Sequence, residues 1–409
     1  MTEIDWTPTR EAGLARLADF APRAGAAYAR DRNSDYGPGR RGNVSALSPW
    51  LSRRMVLEEE VLRATLARHR FRAAEKFVQE VYWRAYFKGW LERRPAVWDA
   101  YREETRRRLA ALRDDPPLAD RYEAAVEGRT GIEGFDDWAR ELVETGWLHN
   151  HARMWFASIW IFTLDLPWTL GADFFLRHLM DGDAASNTLS WRWVGGLHTR
   201  GKTYLARASN IEKYTEGRFR PEGLAPAAPP LAEPPPPAAR PAPVGEAAGD
   251  RLAGLRYGLL VTDDDLHPES LPLDHPPAAV LFLSGLDARS RRPVGEAARR
   301  FAEGAVADAA ARAEADFDAP VERCAEGPWR EAIADWAARS DLSFVVVARP
   351  PVGPAADLLS DAEPSLEAGG VRLIRIMRLY DEIAWPHAHK GFFALKQKIP
   401  AMLAELGLA

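Results

Sequence analysis

The stretch Trp147-Leu-His-Asn-His-Ala-Arg-Met154, with Asp181-Gly-Asp183 and Trp191-Arg-Trp193 after it, brings carboxylate, amide, guanidinium and indole groups into one short part of the chain. Aspartate and arginine are rarely buried unless they are paired, so ordinary core packing explains this mixture poorly. The spacing of apolar residues from 147 to 162 predicts a helix. The three motifs therefore indicate a helical fold with a functional site built into it.

Tryptophan is concentrated in the same half of the chain. Of the 15 tryptophans, only Trp329, Trp336 and Trp385 lie beyond residue 250. Packing explains most of these large side chains, but a dense set in one half is also what an aromatic-walled cofactor cavity needs.

Composition sets broad limits. The 409 residues allow two or three domains, and the net charge of -5 requires that any DNA-binding surface be a local basic patch. The single cysteine, Cys324, rules out an internal disulfide framework. The most apolar stretch, 154–170, is broken by Asp165 and Pro167 and predicts a buried helix with no membrane span. We expect a cytoplasmic enzyme, and nothing in the sequence indicates a metal site or an oligomeric state.

A proline-rich stretch divides the chain. Residues 224–249 are rich in proline and alanine, a composition that favours extended polyproline II or disorder. The prediction is a multidomain α and α/β protein with residues 1–223 as an all-α bundle, 224–249 as a linker and 250–409 as a parallel α/β domain.

Apolar residues at three- and four-residue steps predict the helices of the first half. The predicted helices are 55–70, 71–93, 98–112, 135–145, 147–162 and 172–180.

The second half changes period, with short apolar runs separated by helical stretches. The predicted strands are 258–262, 279–284, 343–348 and 371–376, and the predicted helices are 295–315 and 329–340. No glycine-rich phosphate loop follows any of these strands.

The motifs at residues 42–51, 80–87, 147–154 and 181–193 resemble, in order and spacing, the flavin-binding core of the DNA photolyase/cryptochrome family. The resemblance covers about residues 28–220 and implies FAD as the cofactor. The run Leu259-Leu-Val-Thr-Asp-Asp-Asp-Leu-His267 is similar to the first strand of the family's antenna domain. That domain normally precedes the flavin domain, so the order here is permuted.

The first motif, Gly42 to Leu51, allows two interpretations. Ser48 before Pro49 is a good start for a helix and needs no ligand. The resemblance implies instead that Ser45, Leu47 and Ser48 bind the flavin phosphates, with Tyr28 as a further flavin-binding residue.

Other motif residues are assigned by the resemblance to the flavin or to damaged bases. On the flavin side these are Arg84, Asn150, Arg153, Asp181, Asp183 and Asn187; on the substrate side they are Glu80, Trp83, Asn150, Met154 and Trp193. Structural alternatives remain open for several of them: an i, i+4 ion pair for Glu80 and Arg84, packing for Trp83, core packing for Met154, and a plain turn at Asp181 to Asp183.

Trp191 and Trp168 match the proximal and middle members of the family's electron-transfer chain. The third tryptophan is expected near Asp115, where this sequence has none. Trp155, Trp160 and Tyr122 are candidate replacements.

A competing motif, Gly196-Leu-His-Thr-Arg-Gly-Lys-Thr203, fits the spacing of a phosphate-binding loop. That loop needs a strand before it and a helix after it, and the sequence predicts a turn here instead.

The resemblance implies a deoxyribodipyrimidine photolyase-like lyase that repairs cyclobutane pyrimidine dimers with light and reduced FAD. The alternative is a cryptochrome-like blue-light photoreceptor that binds FAD without repair. The antenna chromophore stays unknown. Damaged DNA would contact a basic rim, for which the candidates are Arg53, Arg54, Lys88, Arg93, Arg94 and Arg106 to Arg108.

Overall fold

Helices form nearly all of the regular structure in the first half of the chain. The structure is a computed structural model that describes residues 4–243, 252–324 and 327–408. The helices of residues 4–243 are α1 (Arg10–Phe20), α2 (Ala26–Asp31), α3 (Ser48–Ser52), α4 (Glu58–Leu66), α5 (Phe71–Glu92), α6 (Ala96–Ala111), α7 (Pro116–Val126), α8 (Phe135–Thr145), α9 (Asn150–Ser158), α10 (Trp168–His178), α11 (Ala184–Val194) and α12 (Ala208–Tyr214). The all-α prediction for this half is confirmed.

Helix ends differ from the predictions where side chains cap the backbone. The predicted helix 55–70 is shorter, as α4, because the Glu60 carboxylate accepts a hydrogen bond from the Leu57 amide at 2.9 Å. The predicted helix 147–162 begins only at Asn150, because His149 Nδ1 accepts from the His151 amide at 3.1 Å. After α9 the chain widens into a π-helical turn, Ile159–Thr163, which accounts for the rest of that prediction.

The second half contains a five-stranded parallel sheet in the order β3-β2-β1-β4-β5. Its strands are β1 (Tyr257–Thr262), β2 (Ala279–Leu283), β3 (Val321–Cys324), β4 (Phe344–Ala348) and β5 (Arg372–Ile376). In the centre, Leu260 of β1 is paired with Leu281 of β2 and Val347 of β4. The predicted parallel α/β architecture is therefore confirmed.

Helices cover the sheet and continue to the end of the described chain. They are α13 (Glu296–Asp316), α14 (Trp329–Arg339), α15 (Pro354–Ala368), α16 (Leu379–Ala384), α17 (Phe392–Lys396) and α18 (Ile399–Glu405). The sequence prediction missed β3 and α15 to α18. The edge strand β3 is short and carries charged residues, and α15 contains Pro364, so neither shows the usual pattern.

The proline-rich segment lies along the helical half. Residues 224–243 form no helix or strand, while 244–249 lie outside the described residues. The Leu231 amide donates to the Gly195 carbonyl at 2.9 Å, and Arg240 donates its amide to the Arg93 carbonyl at 2.8 Å. The described segment is therefore a strap held by main-chain hydrogen bonds.

The two halves pack directly against each other. One apolar core runs through both, and the Trp50 ring meets Phe301 of α13 at 5.5 Å between centroids. Buried ion pairs cross the same interface, including Arg53–Asp263 at 2.9 Å and Arg54–Asp381 at 2.6 Å. This packing brings the carboxyl ends of the strands towards α5 and α11. None of the described helices is both long and apolar enough to cross a membrane.

Candidate functional site

The turn between α10 and α11 gathers the charged residues of three helices. Arg153 of α9 donates from Nη2 to Asp181 Oδ2 at 3.0 Å, and its Nε donates to the Leu148 carbonyl. His149 is neutral at ordinary pH, because burial lowers its pKa to about 4, and it can therefore accept the hydrogen bond that starts α9. The start of α9 thus aims the Arg153 guanidinium at Asp181.

Asp183 both caps α11 and faces two cations of α5. Its Oδ1 accepts from the Ser186 amide at 2.8 Å, while Oδ2 lies 3.4 Å from Arg84 Nη2 and 3.7 Å from Lys88 Nζ. Burial opposes the charge of this carboxylate, but Lys88 and Arg84 outweigh it and hold the pKa of Asp183 below its ordinary value. Asp183 is therefore a carboxylate at neutral pH.

Asn187 lies in the first helical turn of α11, and its side chain is buried. Its Nδ2 donates to the Ala172 carbonyl of α10 at 2.8 Å. The structure thus joins Arg84, Asp183 and Asn187 through α5 and α11, and Arg153 and Asp181 through α9. We name these five residues the charged cluster.

The residues expected at the flavin phosphates lie elsewhere in the helical half. The helix α3 begins at Ser48, one residue earlier than expected, and Leu47 at its cap is fully buried. The main chain of Ser45 accepts from Arg16 Nε at 2.7 Å. The Tyr28 ring is buried against Phe20 and Phe77.

None of the expected substrate-side residues is fully buried. Glu80, Trp83, Met154 and Trp193 are half-buried and Asn150 is exposed. Glu80 forms an ion pair with Arg32, and the Trp193 ring stacks on Tyr204 at 5.7 Å.

Trp83 has a ring partner that the sequence did not suggest. Phe392 of α17 stacks on it with centroids 3.7 Å apart and planes 10° from parallel. Thus one face of this half-buried indole is covered by the second half of the chain.

The expected electron-transfer tryptophans are buried and lie on α10 and α11. The Trp191 ring is packed so closely against α10 that a Cβ built on Gly171 would lie 2.3 Å from it. Trp191 also meets Trp160 edge-on at 6.1 Å, and Trp160 meets Tyr122 at 6.0 Å. Trp168, one helical turn before Gly171, contacts Tyr101 at 5.7 Å.

The prediction of a basic rim that contacts DNA is wrong for three residues, because they do not lie on the surface. Arg53 and Arg54 are buried in ion pairs with the second half, and Lys88 is buried beside Asp183. Their charges are matched by neighbouring carboxylates, so they present no surface to phosphates. Arg106 to Arg108 remain exposed, although each pairs with Glu103 or Glu104 on its own helix.

A pocket with an empty volume of about 400 Å³, part of it open to solvent, lies between the two halves. Its wall includes Asp183 and Lys88 from the helical half and Asp263, Asp264 and Arg289 from the other. Burial, and then Asp263, raise the pKa of Asp264 to about 7, while burial and Arg53 lower that of Arg289 to about 10.

Sequence reasoning missed the residues that the second half contributes to this pocket. The signal was present, because three aspartates directly follow β1, and the loop 351–355 after β4 completes the wall. The strand order reverses between β1 and β4, and ligands of parallel sheets bind at the carboxyl ends of strands at such a point.

Comparison with known proteins gives one family match. Residues 77–223 match the sequence model described as the FAD binding domain of DNA photolyase. That range contains all five residues of the charged cluster and ends where the strap begins.

The chain is also similar to individual proteins. A deoxyribodipyrimidine photo-lyase of Synechococcus sp. is 31% identical over 220 residues, which is 51% of this chain and 43% of the relative. One from Streptomyces griseus is 36% identical over 164 residues, 37% of this chain and 34% of the relative. The chain thus spans less than half the length of these relatives.

A crystal structure of a bacterial class III photolyase from Agrobacterium tumefaciens is 26% identical and superposes with a TM-score of 0.39. The superposition covers 53% of this chain and 46% of that one.

Proposed function

Because residues 77–223 match the FAD binding domain of DNA photolyase, we propose that the protein is a member of the DNA photolyase/cryptochrome family that binds FAD and repairs pyrimidine dimers in damaged DNA with light. The observation that carries the proposal is the charged cluster. Five polar residues from three separate stretches of sequence meet at one turn, inside the region that matches the FAD-binding domain.

The chemistry of the charged cluster suits a flavin dinucleotide. Arg84 and Arg153 offer guanidinium groups, Asp181 and Asp183 carboxylates, and Asn187 an amide. Among the described residues, the buried Arg84 Nε has no hydrogen-bond partner, so it is a donor available to a ligand. Arg84, Arg153, Asp181, Asp183 and Asn187 would hold the ring system, and Tyr28, Ser45, Leu47 and Ser48 the phosphates.

The bound cofactor supplies the reaction chemistry: reduced FAD absorbs blue light and donates the electron that splits the cyclobutane ring. The protein's own task is to bind, orient and exclude water. The paired carboxylates and guanidiniums fix the charges around the ring, and the Asn187 amide can donate or accept a hydrogen bond without changing its charge.

Arg289 limits the space at this turn. Its side chain lies over Gly182, where Nη1 would be 2.0 Å from an added Cβ, and Nη1 donates to the Leu179 carbonyl. A ligand that extends over Gly182 must displace Arg289 or pair with it.

The order of burial supports a substrate face above the cofactor. Trp168, Trp191, Asp181 and Asn187 are buried, whereas Glu80, Trp83, Met154 and Trp193 are half-buried and Asn150 is exposed. Trp83 and Trp193 would stack on an extruded pyrimidine dimer, and Glu80 and Asn150 would bond to its polar edges.

The α/β half would take the place of the antenna domain in permuted order. In support, the carboxyl ends of β1, β2 and β4 lie beside the start of α11.

A cryptochrome-like photoreceptor is the second candidate, and the Trp83–Phe392 stack favours it. A protein that keeps this face covered would retain the flavin and lose access to DNA.

A repair assay separates the two. Purified protein with reduced FAD is illuminated with an oligonucleotide that contains one thymine dimer, against a dark control, and dimer loss is measured. The photolyase proposal predicts light-dependent loss. Trp193→Ala should weaken oligonucleotide binding by roughly five- to a hundredfold, the value of one base stack, with unchanged flavin absorption. Flavin bands that respond to light without any dimer loss would establish the photoreceptor instead.

A further inference from the structure

Trp168 is hydrogen-bonded to a carboxylate of the proline-rich strap. Its indole Nε1–H donates to Glu233 Oε1 at 2.8 Å, and the tryptophan is only 7% exposed. The strap is fixed at this point, because Leu231, two residues earlier, bonds to the Gly195 carbonyl and packs against that glycine.

Glu233 is held in place from its other side. Its Oε2 accepts from Arg192 Nη1 at 2.5 Å, and its main-chain oxygen accepts from Arg200. The side chain is still 29% exposed and borders a pocket with an empty volume of about 600 Å³ between the strap and residues 196–201. A proton that reaches Glu233 therefore has a path to water.

The other aromatic residues around Trp191 have no such base. The Trp160 indole donates to the Pro167 carbonyl and the Trp155 indole to the Asn210 amide oxygen, neither of which can accept a proton at neutral pH. The Trp191 indole nitrogen and the Tyr122 hydroxyl are buried without a hydrogen-bond partner among the described residues.

This difference matters because an indole that has lost an electron becomes a much stronger acid at Nε1. A carboxylate already within hydrogen-bond distance of that proton can take it directly. Once the proton has gone, return of the electron is hindered, and the charge separation lasts longer.

We propose that Glu233 is the proton acceptor for Trp168 when Trp168 supplies an electron to the light-excited flavin. The inference rests on flavin binding by the proposed function. One electron leaves Trp168 and reaches the flavin, which is reduced, and the Nε1 proton moves to Glu233. The neutral indolyl radical that remains is restored by one electron and one proton from an external thiol. Glu233 releases its proton into the neighbouring pocket.

With Glu233 as proton acceptor, electron transfer to the flavin needs no tryptophan near Asp115. Trp168 becomes the last donor, and deprotonation replaces the further electron transfer that a third tryptophan would provide.

The test is Glu233→Gln, which keeps the shape and the hydrogen-bond acceptor but not the base. Flavin-loaded protein is excited by a flash, and the absorption bands of the indole radical are followed in time. The wild type should form the neutral radical, with a solvent isotope effect in D₂O. In Glu233→Gln the radical cation should persist, and deprotonation should slow by about a hundredfold or more.

A matched control is Asp357→Asn, because Asp357 Oδ2 accepts from the Trp98 indole at the same distance, 2.8 Å, on the other side of Tyr101. It should leave the kinetics unchanged, and Trp168→Phe should abolish the radical. The proposal is overturned if Glu233→Gln deprotonates at the wild-type rate, if Asp357→Asn blocks deprotonation instead, or if the radical survives in Trp168→Phe.

Failure of the proposed function gives a different result. Chemically reduced Glu233→Gln should repair dimers as the wild type does, since its flavin needs no electron from Trp168. A wild type that forms the neutral radical but repairs nothing retains the role of Glu233 and loses the repair function. A wild type that binds no flavin overturns both.

Discussion

Single side chains at the turn before α11 serve the fold and the candidate site together. Asp183 caps α11 and also balances Arg84 and the buried Lys88. The resemblance assigned Asp181, Asp183 and both arginines, Arg84 and Arg153, to the flavin side. It could not show which carboxylate takes which cation, because Arg84 and Asp183 are far apart in sequence and meet only when α5 packs on α11.

Replacing Asp183 by alanine should be far more costly than losing a helix cap. The variant removes the cap and leaves two buried cations without their carboxylate, so we expect a loss of about 3–5 kcal/mol in the free energy of unfolding. Asp115→Ala is the control, because Asp115 caps α7 from an exposed position and should cost about 1 kcal/mol. Urea unfolding measures both, and equal losses would contradict the role of the ion pairs.

Several helices and strands formed where the sequence pattern predicted them. Thus α5, α8 and the strands β1, β2, β4 and β5 lie close to their predicted bounds. The short helices α16 and α17 were missed because each is too brief to show a period. Yet α17 carries the residue that covers Trp83, so its contact was invisible from sequence alone.

The helix α17 should compete with DNA for Trp83. A base can stack on the covered face only after Phe392 leaves, and a stacked aromatic pair contributes about 0.5–1.5 kcal/mol beyond its buried area. Phe392→Ala should therefore bind a dimer-containing oligonucleotide about three- to tenfold more tightly. Phe393→Ala is the matched control, because that side chain is 77% exposed and should change nothing. If Phe392→Ala has an intact fold and flavin content but binds the oligonucleotide no more tightly than the wild type, α17 does not block access to Trp83.

At the scale of the whole molecule, the interface between the two halves could not be predicted from the sequence. The proline-rich composition predicted a linker, and the described residues 224–243 form no helix or strand. It gave no sign that Arg53 and Arg54, which look like a basic surface patch, are matched by aspartates after β1 and in α16. Ion pairs between residues that are more than 200 positions apart cannot be predicted from local sequence patterns.

The stability of the interface between the two halves should depend on pH through Glu92. Burial raises its pKa to about 7 against the opposing effect of Arg349, and its Oε1 accepts from the Val352 amide. Because the folded state holds this proton more tightly than the unfolded chain, the stabilisation is complete below about pH 4.5 and is lost as the pH rises through 7. Relative to Glu92→Gln, the wild type should lose up to about 3 kcal/mol in the free energy of unfolding between pH 5 and 8. The exposed Glu103→Gln should show no such trend, and a wild type that parallels Glu92→Gln at every pH would refute the assignment.

The measurement that bears most directly on the account is titration of the purified protein with FAD, followed by flavin absorption and by the rise in thermal stability. The charged cluster predicts one FAD per chain. It also predicts that Arg84→Met, which removes the unpartnered Nε, lowers the affinity by roughly ten- to a hundredfold, whereas the exposed Arg106→Met does not. If the wild type takes up no FAD, or Arg84→Met binds it as tightly as the wild type, the cluster does not hold the flavin.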